Sequence, residues 1–308
     1  MSARAFYLLI LLGLGAGWGL TTPLSKIAVS TGYQHFGLIV WQLVYGIAIL
    51  GAISLWRRRG LPRGWPYLLR YALIALAGTV IPNSISYQAA VRLPAGIMAI
   101  TISLVPIFAL PMALAIGMER FQWRRMSGVV LGAVAMVLLV GPEASLPSPG
   151  LAIWVLIGAL APFCYAVEAT WVARYGTLDL DPVDLMLGAS ISGLVIVVPL
   201  AWLSGQWIDI SQPWGVPDVA LLASSLIHAG VYTSYVWLVG RAGSVFASQT
   251  AYLVTGTGVL WSMLILSESY SPFVWAALVL MLGGMFLVRP GGKAALAETL
   301  ANSDNGRV

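Results

Sequence analysis

Long apolar stretches that follow one another with short connections are the strongest constraint on this chain. Inside a bilayer no water satisfies backbone amides and carbonyls, so a crossing segment forms a helix unless it closes into a barrel. A helical crossing takes about 17–25 mainly apolar residues. Ten stretches can be placed on this criterion, at residues 5–29, 36–56, 68–89, 94–117, 125–141, 151–173, 183–204, 218–239, 243–266 and 271–289. The sequence therefore predicts an all-α integral membrane protein with ten transmembrane helices.

Composition excludes a soluble protein. Hydrophobic residues make up 59% of the chain and charged residues 9%, against roughly 25% charged in soluble domains. The net charge of +5 is better explained by basic residues on cytoplasmic loops than by nucleic-acid binding. No nucleic-acid partner is expected, and the lipid bilayer is the environment of the chain.

The distribution of Lys and Arg tests the ten-helix prediction independently. With the N-terminus inside, the outer segments contain Lys26 and Arg92 alone among the 16 basic residues. The other 14 fall on inner segments: Arg4, Arg57, Arg58, Arg59, Arg63, Arg70, Arg120, Arg124, Arg125, Arg174, Arg241, Arg289, Lys293 and Arg307. This is the split that the positive-inside rule predicts. We expect a multi-pass protein of the inner, cytoplasmic membrane with both termini cytoplasmic.

An internal repeat divides the chain into two halves. When the sequence is shifted by 149 positions, Arg92 falls on Arg241, Thr101 on Thr250 and Glu119 on Glu268, in matching order. Five spans per half is an odd number, so the second half is inverted relative to the first, as in many secondary transporters. The predicted units are a first repeat, a second inverted repeat and a disordered cytoplasmic tail, at residues 1–142, 143–290 and 291–308.

Two stretches make the chain resemble the drug/metabolite transporter superfamily in its ten-helix form with two EamA-type halves. They are GWGLTTPLSKIAV at residues 17–29 and GMERFQWRRMSGVVLGAVAM at residues 117–136, the latter echoed near residues 265–284. The resemblance covers about residues 5–290. It implies alternating access to a central cavity bounded by spans 1, 3, 4, 6, 8 and 9. Members rich in cavity aromatics resemble the YddG-like branch, which implies export of aromatic and neutral amino acids.

Prolines within spans suggest hinges. Pro23 lies in the first span and Pro106 in the fourth, and proline removes a backbone donor and kinks a helix. Carbonyls freed in this way find partners or line a wet cavity. The alternative is a kink that merely serves packing.

Glu168 and His228 are the titratable groups placed deepest in the spans. A charge at mid-membrane costs ~2.5–3.5 kcal/mol on insertion scales, so Glu168 requires a reason. It binds a substrate ammonium, carries a coupling proton, or pairs with Arg174 or a hydroxyl. His228 either takes part in proton coupling, since histidine titrates near neutral pH, or is a neutral residue bonded to a tyrosine.

The remaining predicted substrate-binding residues are polar or aromatic positions in the spans assigned to the cavity. Small ligands are commonly held by aromatic walls with a few placed polar groups. These residues are Trp18, Thr22, Asn83, Tyr87, Thr101, Tyr232, Tyr235, Ser248, Gln249 and Tyr252. Any of them could instead form an interhelical hydrogen bond.

The predicted function is export of small metabolites, with aromatic or neutral amino acids as the first choice. Proton-coupled efflux of cationic drugs through Glu168 is the alternative, and a polytopic membrane enzyme is the distant one. Enzyme motifs, metal-ligand clusters and cofactor fingerprints are absent from the sequence, so neither catalysis nor a cofactor is expected. The partner is a small-molecule substrate, and the chain is either a monomer or a homodimer.

Overall fold

A computed structural model describes residues 3–58, 60–141, 146–242, 244–247 and 249–288. The predicted tail at residues 291–308 lies outside them. Within the described residues the protein is all-α. Its helices are α1 (Ala3–Ala28), α2 (His35–Trp56), α3 (Trp65–Ala75), α4 (Ile81–Arg92), α5 (Ala95–Ile102), α6 (Leu104–Ala115), α7 (Trp123–Val140), α8 (Ala152–Gly158), α9 (Leu160–Tyr175), α10 (Pro182–Leu203), α11 (Val216–Ala242), α12 (Ser244–Ala247), α13 (Thr250–Leu266) and α14 (Pro272–Val288).

The predicted ten-span architecture is confirmed. In the described part of the chain, eight helical segments are long and apolar enough to cross a bilayer, some of them with a break inside. Two shorter apolar helices, Thr250–Leu266 and Pro272–Val288, bring the number of spans to ten. The third span runs over Trp65–Arg92, three residues further at each end than the apolar stretch at residues 68–89.

Three spans are interrupted a few residues before a proline. In the third, a π-helical segment, Leu76–Val80, separates α3 from α4 just before Pro82. In the fourth, Ser103 separates α5 from α6 before Pro106. In the sixth, Ala159 separates α8 from α9 before Pro162. Each proline lacks the N–H of a regular helix and clashes with the carbonyl four residues earlier, which accounts for the positions of the breaks.

The two predicted hinge prolines differ in their surroundings. Pro106 follows a break directly, whereas Pro23 is buried inside the uninterrupted helix α1. The hinge role of both residues stays a prediction. A proline in a span is thus not sufficient to break the helix.

The two ends of the bundle are named after the repeat-related residues Glu268 and Glu119. At the Glu268 end, the end of α1 lies beside the end of α4, where Lys26 Nζ donates to the carbonyl of Ala90 at 2.6 Å. At the Glu119 end, the start of α7 lies beside the end of α14, where Arg125 Nε donates to the carbonyl of Val288 at 2.7 Å. Glu119 and Glu268, which correspond to each other in the internal repeat, therefore lie at opposite ends of the bundle, as an inverted repeat requires.

Candidate functional site

A central cleft lies between α1 and α11 on one side and α9 and the π-helical segment on the other. Glu168, His228 and Tyr232 combine two properties: protein atoms surround them densely, yet they keep accessible surface. Groups buried in a packed core lose that surface, so the combination marks an internal cavity. The cleft residues are Trp18, Glu168, His228, Tyr232 and Tyr235. All five were among the predicted substrate-binding residues.

Trp18 and His228 form the first wall of the cleft. The indole Nε1 of Trp18 donates to Nδ1 of His228 at 3.0 Å. A nitrogen that accepts a hydrogen bond carries no proton, so the imidazole is neutral in this arrangement and its Nε2 carries the hydrogen. Tyr235 extends the wall, its ring centroid 5.5 Å from that of Trp18. The wall therefore presents aromatic surface and a donor without net charge.

Glu168 faces this wall from α9. It lies close enough to Tyr232 and to Tyr165 to interact with both electrostatically. Its carboxylate rests directly against Gly78, where any side chain would collide with it. Within the described residues it makes no hydrogen bond or ion pair. In particular it does not pair with Arg174, so this alternative from the sequence is wrong.

The backbone behind Glu168 is short of donors. The N–H of Ile81 bonds to the carbonyl of Leu76 in the π-helical pattern, and Pro82 has no N–H. The carbonyls of Ala77 and Gly78 therefore lose the donors that a regular helix would give them. Single-turn π-helical segments are frequent at functional sites. Here a carboxylate and an acceptor-rich backbone share one place in the membrane, which suits a cationic group.

A polar network continues from the cleft toward the second span. The hydroxyl of Tyr165 donates to Asn83 Oδ1 at 2.9 Å, and Asn83 Nδ2 donates to Gln42 Oε1 at 3.1 Å. The hydroxyl of Tyr87 also donates to Gln42 Oε1, at 2.9 Å. Asn83 is thus a bridge between spans. Tyr87 is one of the predicted substrate-binding residues. It is 7% exposed, so it positions Gln42 and does not line the cleft.

Gln42 and Tyr165 were missed from the sequence. Tyr165 lies three residues before Glu168, so helical spacing around the acid would have found it. No comparable signal marks Gln42, because it lies in a span apolar on all sides.

The other predicted substrate-binding residues are dispersed. Thr101 is buried and donates to the carbonyl of Ile97 at 2.7 Å. Thr22 is half-buried beside Gly258 of α13. Gln249 and Tyr252 are half-buried near the start of α13, and Ser248 lies outside the described residues. Their role as substrate-binding residues stays a prediction.

A cluster of charged and polar groups holds the turn between α4 and α5 at the Glu268 end, and we call it the Glu268 clamp. The Glu268 carboxylate accepts from the N–H groups of Ala95 and Gly96 at 2.8 and 3.1 Å. Tyr270 donates its hydroxyl to Glu268 at 2.5 Å. Lys26 donates to the last carbonyls of α4. An acid at a helix N-terminus and a base at a helix C-terminus both match the helix dipole.

The Glu268 clamp is tightly packed around Gly96. The Tyr270 hydroxyl lies where a side chain at position 96 would project, so only glycine fits there. Burial, and secondly the hydrogen bond to Glu268, raise the pKa of Tyr270 above its ordinary value. Tyr270 therefore remains a protonated donor at physiological pH. The clamp connects α1 and the α13–α14 turn to the α4–α5 turn, so it joins the two halves at this end of the bundle.

Glu119, the repeat partner of Glu268, is engaged differently. It accepts from Arg125 Nη1 at 2.7 Å and from Nη2 at 3.3 Å. Arg125 is buried and belongs to the same half of the chain. The residue that corresponds to Tyr270 under the 149-position shift is Phe121, which has no hydroxyl. The two ends are thus built unequally although their sequences are related.

Comparisons with known proteins identify the fold and its class. Residues 5–141 and 152–289 each match the EamA-like transporter family. The uncharacterised inner membrane transporter YedA of Escherichia coli strain K12 is 25% identical over 285 residues, covering 89% of this chain and 87% of YedA. The YedA protein of Escherichia coli O157:H7 matches to the same extent. A crystal structure of another protein shares the fold, with a TM-score of 0.61 and 18% identity over 91% of this chain and 96% of that chain.

Proposed function

Because the chain belongs to the EamA-like transporter family, we propose that it exports aromatic and neutral amino acids by alternating access through the central cleft. Membership of the family and the similarity to a protein named as a transporter point to a membrane transporter and away from an enzyme. Substrate, direction and mechanism are our proposal, which places the chain near the YddG-like branch.

One observation carries the choice of substrate: an unpaired carboxylate faces a neutral aromatic wall. Glu168 offers a carboxyl group as acceptor, and the acceptor-rich backbone at Gly78 adjoins it. An ammonium group brings three donors to such a place. Across the cleft, the Nε2–H of His228 is a donor for a carboxylate. The two groups together complement a zwitterion.

The aromatic wall suits the side chain of the substrate. Trp18 and Tyr235 present ring surfaces whose centroids are 5.5 Å apart. Offset stacking on such rings contributes about 0.5–1.5 kcal/mol for a good pair. A flat apolar side chain gains from this contact, whereas a phosphate ester would need several arginines or lysines, which the five cleft residues do not supply.

Efflux of cationic drugs is the second candidate, and it also rests on Glu168. An organic cation would use the carboxylate as counter-ion and the rings through cation–π attraction, worth about 2 kcal/mol when desolvated. Such a substrate has no need of the donor on His228. That difference separates the two candidates experimentally.

The test is counterflow in proteoliposomes with amino acids and quaternary ammonium compounds. We expect exchange of phenylalanine and related neutral amino acids. His228→Ala should reduce it ~10-fold or more, since a hydrogen bond to a charged group contributes about 1.5–3 kcal/mol. Val219→Ala, an exposed site on the same helix, is the matched control. Exchange of quaternary ammonium compounds with no exchange of amino acids would establish the drug-efflux alternative instead.

Orientation and membrane are part of the same proposal. We place the protein in the inner membrane with the Glu119 end in the cytoplasm, because the 14-to-2 distribution of basic residues favours it. One chain supplies every cleft residue, so a monomer suffices as the transporting unit. In a Cys164→Ser background, a cysteine at Ser148 should react with an impermeant maleimide on intact cells. Reaction at Ser148 only after permeabilisation would reverse the assignment.

A further inference from the structure

Glu168 makes no hydrogen bond within the described residues although a hydroxyl group lies beside it. Tyr165 precedes Glu168 by three positions on α9, and side chains at that spacing are neighbours on a helix. The two groups are close enough to interact electrostatically. Hydrogen bonds to an ionised group are roughly twice as strong as bonds between neutral groups. The carboxylate would therefore be the strongest acceptor for the Tyr165 hydrogen.

The hydrogen of Tyr165 is instead directed to Asn83. The Tyr165 hydroxyl donates to Asn83 Oδ1 at 2.9 Å. Asn83 holds that oxygen in place because its Nδ2 donates to Gln42 Oε1 at 3.1 Å. A hydroxyl has one hydrogen to donate, so Tyr165 has none left for Glu168.

A buried tyrosine fixes the orientation of both amides. Tyr87 is 7% exposed, and among the described residues its hydroxyl bonds only to Gln42 Oε1, at 2.9 Å. If the Gln42 amide were turned over, its nitrogen would face this hydroxyl, and the hydrogen of Tyr87 would lose its acceptor. A buried donor without a partner is costly. Gln42 therefore keeps its oxygen toward Tyr87 and Asn83, which leaves the oxygen of Asn83 for Tyr165.

We infer that Asn83 is a positioning residue that keeps Glu168 unpaired for the substrate by holding the hydrogen of Tyr165. The inference rests on the proposed function, in which Glu168 binds the substrate ammonium. An ammonium group has to displace any donor that already occupies the carboxylate, and apparent affinity falls with the fraction of sites that are competent to bind. Asn83 thus acts through Tyr165 and not by direct contact with the substrate.

The test is a pair of substitutions with opposite effects. Asn83→Ala removes the acceptor, so the Tyr165 hydroxyl turns to Glu168, and the half-saturation concentration for phenylalanine counterflow should rise ~10-fold. Adding Tyr165→Phe removes the competing hydrogen and should bring the value back to within ~2-fold of wild type. Loss of packing alone would make the double variant worse than the single one. Ser84→Ala, at the next position of α4 and outside the network, is the control and should change nothing.

A milder pair of variants decides the point if Asn83→Ala does not fold. Tyr87→Phe keeps the ring and removes the hydroxyl that orients Gln42, so both amides can turn over and release the Tyr165 hydrogen. We expect a smaller rise in half-saturation, ~3-fold, which Tyr165→Phe again reverses. Phenylpropionate, which has no ammonium group, should be insensitive to all of these variants.

An unchanged half-saturation concentration in Asn83→Ala would overturn the inference. A loss that Tyr165→Phe fails to reverse, or an equal loss for phenylpropionate, would overturn it as well, because Asn83 would then act through packing or direct contact.

Glu168→Gln separates these failures from failure of the proposed function. If Glu168→Gln weakens phenylalanine binding and Asn83→Ala does not, substrate binding at Glu168 stands and the positioning role is wrong. If Glu168→Gln has no effect, the proposed binding site is wrong and the inference fails with it.

Discussion

Replacing Glu168 by glutamine is expected to weaken binding of phenylalanine by roughly 10–100-fold. The substitution keeps the shape of the side chain and removes the charge that would hold the substrate ammonium. A hydrogen bond to a charged group contributes about 1.5–3 kcal/mol, and each 1.4 kcal/mol is about tenfold in affinity. The measurement is the half-saturation concentration for counterflow. Cys164→Ala, one helical turn away on the same face of α9, is the control.

Substrate analogues make this prediction specific for the ammonium group. Phenethylamine keeps the ammonium and lacks the carboxylate, so its binding should depend on Glu168 and not on His228. Phenylpropionate has the reverse composition and should depend on His228 alone. If Glu168→Gln leaves the affinity for phenylalanine unchanged, the carboxylate does not contact the substrate and the zwitterion hypothesis is wrong.

Replacing Glu268 by glutamine is expected to loosen the Glu268 end of the bundle, where the clamp joins the two halves. The carboxylate holds two backbone amides and the Tyr270 hydroxyl, and losing the charge weakens each of these bonds. A loss of about 1.5–3 kcal/mol shifts a two-state equilibrium by roughly 10–100-fold. The measurement is the maleimide reaction rate of a cysteine at Thr22, which is half-buried beneath the clamp, in a Cys164→Ser background.

The inverted repeat supplies the control for this experiment. Glu119→Gln removes the equivalent acid, but that acid pairs with Arg125, which bonds to the Val288 carbonyl at the other end of the bundle. It should therefore not accelerate labelling at Thr22. Equal acceleration by both substitutions would mean that labelling reports general loosening, and no acceleration by Glu268→Gln would show that the clamp does not hold the Glu268 end together.

The sequence predicts the spans well because the bilayer imposes a length and a hydrophobicity on each one. It predicts the breaks less well. Pro23 and Pro106 are the predicted hinges. The fourth span breaks before Pro106, but the third and sixth spans also break, before Pro82 and Pro162, while α1 continues through Pro23. Whether a proline interrupts a helix depends on which neighbours take up the freed carbonyl, and this information is tertiary.

The sequence predicts only some residues of the candidate site, because a residue is recognised only where its polarity is unusual for a membrane span. Charged and strongly polar groups are costly in lipid, so Glu168 and His228 stood out from the sequence, and the structure brings them into one cleft with Trp18. Gln42 shows the opposite case. Its helix, α2, is apolar on nearly every side, so no periodicity separates the faces toward lipid, neighbour and cavity.

The unequal ends of the bundle bear on the kinetics of a carrier. A passive carrier cannot shift the equilibrium of its substrate, whichever of its mouths is easier to open. Fastening the two ends unequally nevertheless makes one resting form more populated than the other. Apparent affinity falls in proportion to the scarcity of the competent form, so half-saturation should differ between the two faces of the membrane. The stronger fastening at one end would then make substrate binding faster from one side of the membrane than from the other.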